Sequence, residues 1–582
     1  MADNQDVDFS KLSKNEFLKA HSDGLRGNID QEVMDTSAPA FSEDAVQLLK
    51  HHGTYQQDNR DLRSERRKAG LDKAYSMMLR TRTPGGLMSP EQYILCDDLA
   101  TKYGQDDLRI TSRQGFQFHG VLKNNLRALI HDLNHFQQIS TQGACGDVVR
   151  NVTGCPVVDI DPAFADINTD ILRIAARIST HFLAQSSSYY DLWLDDERVE
   201  VHADGSVVYK SKEPSKKTEE PIYGERYLPR KFKIGITVDL DNSIDVYTND
   251  IGIIARTEAG RVNGFEVLVG GGLGHSHSKE ETYARVATPL TFVETEEQLI
   301  AVVEGVVKAQ RDHGNREQRH LARLKYTVDR MGADFKKAVE QHVGWEIPAP
   351  LYLKPKDQPH YLGWHKQHQP GLNYVGVWIE NGRVRDFPGS FQFKTGLRKI
   401  VEKFRPSVRL TAHHNLLLAN IRDEDVAAVK ALLAEYHIPT DTVSAIRRLE
   451  MACPALPLCG LALAEAEREL PKVIEEVEKL GHGDADVIIR MTGCPNSCAR
   501  PETAEIGIIG RGPNKYNLYA GGDRLGTRMN TLIAESVVGE QLAPKIASML
   551  SAWKAERNGH VVTFGDWSHT KGKEALQQLI NN

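Results

Sequence analysis

Four cysteines in the last third of the chain carry the clearest chemistry. Cys453 and Cys459 stand in ACPALPLCG, and Cys494 and Cys498 in MTGCPNSCAR. Thiolates grouped in two close pairs usually hold a metal. The C-x5-C and C-x3-C spacings differ from the paired C-x2-C of a zinc ribbon. They favour a cubane iron–sulfur cluster, four thiolates converging on one redox centre. Structural zinc and unrelated buried thiols are the alternatives. Pro454 and Pro495 follow the leading cysteines and restrict the backbone there. A helix is expected over 460–480, its positive N-terminal end close to the first pair.

A second set is basic. Arg80 and Arg82 precede a Pro-Gly-Gly turn, and Arg113 lies in the expected strand ITSRQGFQFHG. Arg150 stands in VVRNVTGCP, and Arg230, Lys231 and Lys233 in YLPRKFKIG. Side chains alternate along a strand, so Lys231 and Lys233 should project together. The set is either a solvated basic surface or a pocket for an anion or a carboxylate-rich cofactor. Arginine gives bidentate oxyanion binding, and lysine can also release a proton.

The elements that must position these residues read as mixed. Strand-like runs (KFKIGITVDL, FEVLVGG, YVGVWIE, AEIGIIG) alternate with helix-like ones (NLRALIHDLNHFQQI, ILRIAARISTHFLAQ), which predicts α+β layers. Three stretches recur in order: RITSRQGFQFHGV with RLTAHHNLLLANI, VTGCP with MTGCP, and NGFEVLVGGGLG with NKYNLYAGGDRLG. They predict two related halves around a pseudo-two-fold axis, only the second with a full cysteine set. Residues 1–70 are polar and charged and predict an extended or loosely helical arm.

With 582 residues and a formal net charge of -7, the chain can bury several cores and shows no charge bias toward nucleic acid. No apolar run approaches a membrane span, and no signal peptide is visible, so a soluble cytoplasmic protein is expected. Seven cysteines in so long a chain do not make a disulfide scaffold. GGGLG at 270–274 lacks the dinucleotide spacing and reads as a close backbone approach. No flavin or nicotinamide signature is evident, so electrons must come from another protein.

In their order along the chain, PGG, RQGFQFHG, RNV, LPRKFK, MACPALPLCG and MTGCPNSCAR resemble the sulfite/nitrite reductase family over nearly the full length. The resemblance implies an internally duplicated α+β fold that couples a 4Fe–4S cluster to siroheme, an iron tetrapyrrole bearing eight carboxylates. It implies an N-terminal arm (1–70) and three domains. These are a ferredoxin-like duplicated unit bridging the halves (71–140 with 345–422), a siroheme and substrate domain (141–344), and a cluster and siroheme domain (423–582). By position, Cys453, Cys459, Cys494 and Cys498 would ligate the cluster, Cys498 also bridging to the siroheme iron. Arg82, Arg150, Lys231 and Lys233 would face the bound oxyanion. Arg113, Gln117, His119, Arg230, Asn415 and Asn496 would help seat the siroheme.

The implied reaction is six-electron reduction of sulfite to sulfide, serving sulfate assimilation and cysteine biosynthesis. The donor would be a diflavin NADPH reductase or ferredoxin. Nitrite reduction to ammonia is the nearer alternative; nitrite-reducing members tend to carry Asn where this chain has Lys233. A zinc-stabilised binding protein without catalysis is the remote one. The chain departs from the family at His413 and His414, where an Asn-Gln pair is usual, and at Ser497, where Gly is usual. Tyr55 and Cys155 stand at positions that resemble a tyrosine and a cysteine joined covalently in some ferredoxin-type members.

Overall fold

The computed structural model describes residues 7–167, 169–194, 198–201, 207–210, 220–356, 358–557 and 562–581. Among them, four five-stranded sheets form two matching pairs. In the first pair, one sheet runs Thr54–Asp58, Tyr75–Arg80, Phe116–Val121, Leu108–Ile110, Arg383–Val384. Its counterpart runs Gly363–Lys366, Leu372–Val377, Leu416–Arg422, Ser407–Leu410, Leu87–Met88. Each takes its last strand from the other half: Arg383 lies opposite Arg109, and Leu87 opposite Arg409. This exchange locks the two halves together through backbone hydrogen bonds.

Local sequence explains the helices on these sheets. Pro90–Tyr103 opens on a capping box between Ser89 and Gln92, with proline in the first turn where no amide donor is needed. Phe393–Phe404 buries Phe393, Leu397, Ile400 and Val401, a single face at helical spacing.

The second pair of sheets holds the chemistry. One runs Thr153–Gly154, Ile234–Val238, Ile251–Glu258, Arg261–Val269, Thr288–Val293, and the other Met451–Ala452, Ile489–Thr492, Ile506–Gly512, Lys515–Ala520, Thr531–Val538. In both, the first two pairings are parallel and the last two antiparallel. Register fixes the correspondence. Ile251 lies opposite Ile234 as Ile506 lies opposite Ile489, and Thr153 opposite Gly235 as Met451 lies opposite Arg490. Two of the three recurring stretches therefore sit at equivalent places. The third does not. Cys155 corresponds to Cys453, not to Cys494, because one TGCP starts on an edge strand and the other ends a neighbouring strand.

Two large cores support the sheets, one drawing on residues from Leu25 to Ile438 and one from Ile446 to Ile580. Helix Val426–Glu435 places Val429 and Leu433 in the first, so the bridging unit continues past the boundary expected at 422.

The N-terminal segment also differs from an extended arm. Its helices Lys14–Ala20, Ile29–Met34 and Glu43–Leu49 are short, but Leu25, Ile29, Val33, Leu48 and Leu49 join the first core, and Thr54–Asp58 is a sheet edge. Buried charge ties it down further. Lys19 bonds Glu16 (2.7 Å) and the Leu228 carbonyl (2.6 Å) and lies 3.5 Å from Asp147. Arg316 pairs with Glu16. Asp147 is gripped by both Arg319 amines at 2.7 and 3.0 Å, and these cations hold its carboxyl well below the usual range against the opposing effect of burial. Asp147→Ala leaves Lys19 and Arg319 buried without their shared anion. It should lower stability by about 3–5 kcal/mol in denaturant unfolding, whereas Asp8→Ala, at an exposed pair, should leave the midpoint in place.

Candidate functional site

Cys453 follows the strand Met451–Ala452, and Cys494 and Cys498 lie in the turn after the adjacent strand Ile489–Thr492. The bridging unit sets this edge. Asn381 accepts from the Ala452 amide at 3.0 Å, and Arg109 donates to the Ala452 carbonyl at 2.7 Å. Glu467 anchors both Arg109 (3.1 Å) and Arg383 (2.7 Å). In the first half the amide of Gln114 grips Gly154, the residue equivalent to Ala452, at both its amide (2.8 Å) and its carbonyl (2.9 Å).

The expected helix over 460–480 is absent from its first part; it begins at Leu470, runs to Val477 and continues as a π-helical turn over Glu478–His482. The amides of Leu463 and Ala464 instead both donate to the Gly493 carbonyl, at 2.8 and 3.0 Å. That tie fastens the first cysteine loop to the second, and no helix N-terminus faces the thiols there. Donors reach the sulfurs individually: Gly493 amide to Cys453 Sγ and Asn496 Nδ2 to Cys494 Sγ, both 3.4 Å.

The four thiols are near enough to feel one another. Burial raises Cys453, Cys459 and Cys494, the last to about 11, and in each the charge of Cys498 is the next cause. Such thiols lose their protons when a metal centre takes the sulfurs. Among the described residues no three His, Cys, Asp or Glu side chains are gathered tightly enough for one ion.

Positive charge crowds the side facing the first half. Lys231 is pushed well below the ordinary lysine range by burial, then by Lys233, Arg323, Arg230 and Arg150. Lys233 falls to about 7 through burial and the nearness of Arg113 and Arg323, opposed by Cys498. The two lysines do project together, and Lys233 is the one that reaches toward the cysteines. Neither amine, nor the Arg230 guanidinium, has a bonding partner among the described residues. Nearby carboxylates are already engaged: Asp250 by Arg323 (3.0 and 2.8 Å), and Asp147 by Arg319. Arg150 reaches only the Gly146 carbonyl and the Tyr55 hydroxyl, at 3.3–3.4 Å.

Arg113 sits in the turn between Leu108–Ile110 and Phe116–Val121, not in a strand, because Gln114 takes a positive φ of 53°. It bonds Asn249 (2.6 Å) and the Asn151 and Ile234 carbonyls (2.5 and 2.7 Å), and burial lowers it to about 9. Ser112 in the same turn bonds the Cys498 carbonyl at 3.1 Å, which joins the basic and cysteine sites. Gln117, with its amide oriented to suit its neighbours, accepts from Arg80 at 2.8 and 2.7 Å and donates to His119 at 3.3 Å. The Arg82 guanidinium turns instead to Ser179 (3.0 and 2.8 Å), beside Tyr223. Asn415 braces its own turn: its side-chain oxygen accepts from the Ile379 amide at 3.0 Å.

Sequence reasoning missed a buried hub. Asp245 pairs with Arg490 (3.0 Å) and Arg500 (2.5 Å), and His413 lies 3.6 Å away. His413 thus fills a place beside charged groups, and burial holds it neutral, down to about 4. The arginine of the CAR tripeptide was the available signal. Ser497 has φ 58°, the reason glycine suits this turn, and its hydroxyl compensates by bonding Pro495 (3.2 Å) and Glu502. The glycine run is a close approach: a Cβ on Gly274 would lie 3.0 Å from the Asn496 carbonyl, and Lys325 holds the Gly272 and Gly274 carbonyls at 2.9 and 2.8 Å. Tyr55 neighbours Cys145 and Arg150, while Cys155 lies buried with Asp241 and Tyr361, as an unjoined thiol would.

A carboxylate-rich tetrapyrrole fits this setting. Arg113 Nε and His119 Nδ1 are buried without a partner, several cations lack an anion, and the glycine run leaves no room for side chains. Four thiols stand beside them.

Known proteins carry the same pattern. The family model for the nitrite and sulphite reductase 4Fe-4S domain matches residues 145–347, the half bearing the basic set. The nitrite/sulfite reductase ferredoxin-like half domain matches 71–136 and 365–436. The Sulfite reductase (NADPH) hemoprotein beta-component of Staphylococcus haemolyticus is 43% identical over 556 residues, 94% of this chain and 93% of that one. The protein of the same name from Shewanella piezotolerans is 40% identical over 569 residues, 97% of each. The solved NirA protein of Mycobacterium tuberculosis shares the fold, with a TM-score of 0.76, 21% identity and 97% of each chain covered.

Half-buried amines without an anion crowd one another in the cofactor-free protein. Lys231→Met should therefore stabilise that form by roughly 1–2 kcal/mol while impairing turnover of the loaded one. A lower unfolding temperature for the cofactor-free variant would contradict the crowding described above.

Proposed function

The chain belongs to the sulfite reductase hemoprotein family within the nitrite and sulfite reductases, and from that membership we propose how its residues divide the work. It is a sulfite reductase with siroheme and a 4Fe–4S cluster, reducing sulfite to sulfide with six electrons. Cys453, Cys459, Cys494 and Cys498 would hold the cluster, and Cys498 would be the ligand it shares with the siroheme. The observation that supports this reading is that Cys453, Cys459 and Cys494 each lie within electrostatic reach of Cys498, with Lys233 on its other side. When bound, the two groups supply the electrons and the sulfur–oxygen bond chemistry.

The remaining tasks fall to side chains. Arg150, Lys231 and Lys233 receive the oxyanion in a buried site where each charge acts strongly. Arg82, bonded to Ser179, is assigned to the same oxyanion through family membership. Arg113, Gln117, His119, Arg230 and Asn496 seat the siroheme, its carboxylates supplying the anions that the cations lack. Asn415 contributes by holding its turn in place. Three oxygens must leave sulfite as water, each with two protons. Lys233, crowded by Arg113 and Arg323, can hand a proton to a departing oxygen and take another from solvent.

The names of the relatives support an NADPH-oxidising flavoprotein as donor, with ferredoxin the alternative. Among the described residues no helix is long and apolar enough to cross a membrane, and a cytoplasmic location is part of the proposal.

Steady-state rates with reduced methyl viologen test the substrate. The expected kcat/KM favours sulfite; a tenfold preference for nitrite, about 1.4 kcal/mol of differential stabilisation, would overturn that assignment. Lys233→Asn should depress sulfite turnover more than nitrite turnover, and equal losses would deny it a role in reading substrate charge. Cys498→Ser should reduce activity more than Lys233→Asn, with loss of the siroheme band. Full activity with both chromophores retained would exclude the bridging role.

A further inference from the structure

The short turn from Asp245 to Asp250 touches every part of the site. Its first residue is the buried hub. The Asp245 carboxylate, 1% exposed, meets Arg490 at 3.0 Å and Arg500 at 2.5 Å. These arginines flank the second cysteine pair, Arg490 on the strand before Cys494 and Arg500 just after Cys498. One carboxylate of the first half therefore holds both ends of the cysteine turn of the second. Each arginine has a further anchor in the bridging unit. Arg500 donates to the Ala412 carbonyl at 2.9 Å, and Arg490 to His413 Nε2 at 3.2 Å.

The far end of the turn reaches the other chemistry. Asn249 accepts from the Arg113 guanidinium at 2.6 Å, and its amide nitrogen donates to the Asp245 and Val246 carbonyls at 3.3 and 3.2 Å. Asp250 accepts from the Lys233 backbone amide at 2.8 Å while it grips Arg323. Asp245 itself has φ 49° and ψ 59°, the left-handed region that Asp tolerates better than most residues. A buried residue keeps such a backbone only where its surroundings hold it. Charge adds to the grip. Two guanidiniums share one carboxylate, and its removal would leave both buried beside the cysteines without their anion.

We infer that Asp245 is a positioning residue for electron delivery. Through Arg490 and Arg500 it fixes the Cys494–Cys498 segment against the residues assigned to siroheme and oxyanion, and its charge offsets the arginines beside the cluster. The inference rests on the sulfite reductase reading and adds a residue outside the cofactor and substrate contacts. Nearby charge is one of the settings of a cluster's reduction potential.

The test uses the cofactor-loaded protein and two readouts: the cluster potential from an EPR-followed redox titration, and sulfite kinetics with reduced methyl viologen. Asp245→Asn keeps the shape and removes the charge. Reduction of the cluster should become at least tenfold more favourable, about 59 mV upward for one electron. The kcat should fall at least tenfold, because the electron is held more tightly and the turn is released, with KM for sulfite within twofold. Asp245→Glu, which restores the charge, should return the reduction equilibrium to within threefold of the parent. If Asp245→Asn does not load both cofactors, His413→Leu reads the same knot by freeing one side of Arg490. Its kcat should fall about threefold at unchanged KM, and His413→Asn, whose amide oxygen can accept from Arg490, should restore it. An unmoved potential in loaded Asp245→Asn, a KM that rises as kcat falls, or parental kcat in His413→Leu would overturn the positioning role. Sulfide production by the unmodified loaded chain reads the parent assignment separately, and its absence would overturn both.

Discussion

Uncompensated positive charge in a buried place governs this structure. Lys231 and Lys233 repel each other and feel Arg113, Arg150, Arg230 and Arg323, while the nearby carboxylates of Asp147 and Asp250 already serve other cations. A folded protein keeps such a set only where something repays the desolvation. In the proposed assignment an anionic cofactor, an anionic substrate and cluster thiolates would offset it. The depressed lysines are the signature of a site shaped for the loaded state.

The duplication explains how one chain brings the two chemistries together. Both halves present the same parallel edge, with Cys155 and Cys453 at equivalent positions. The copies then diverge. The second surrounds its cysteine with three more, and the first surrounds its own with Asp241 and Tyr361 and carries the cations instead. The bridging unit holds each edge by the residue before its cysteine, through Gln114 on one side and Asn381 with Arg109 on the other. Arg113, with Ser112 beside it, is the turn where the two chemistries meet.

Much of this was legible in the sequence wherever the signal was local. The cysteine spacings singled out four thiols that the fold brings within electrostatic reach of one another, and alternation along KFK placed Lys231 and Lys233 near each other. Features set by distant partners were not legible. The tetrapeptide TGCP recurs, but strand order, which no tetrapeptide records, puts Cys155 opposite Cys453. The run after Cys459 has helical composition, yet its amides go to Gly493. Arg113 sits in a strand-like sequence, yet the left-handed Gln114 turns the chain there. The first seventy residues are charged enough to suggest an arm, but Lys19 and Glu16 find buried partners far along the chain.

The shared thiolate is the centre of the account, and Mössbauer spectroscopy of the iron-enriched, cofactor-loaded protein tests it most directly. A thiolate common to both groups predicts that the cluster irons carry a magnetic imprint of the siroheme iron. Cluster and siroheme signals that behave independently of each other would contradict it.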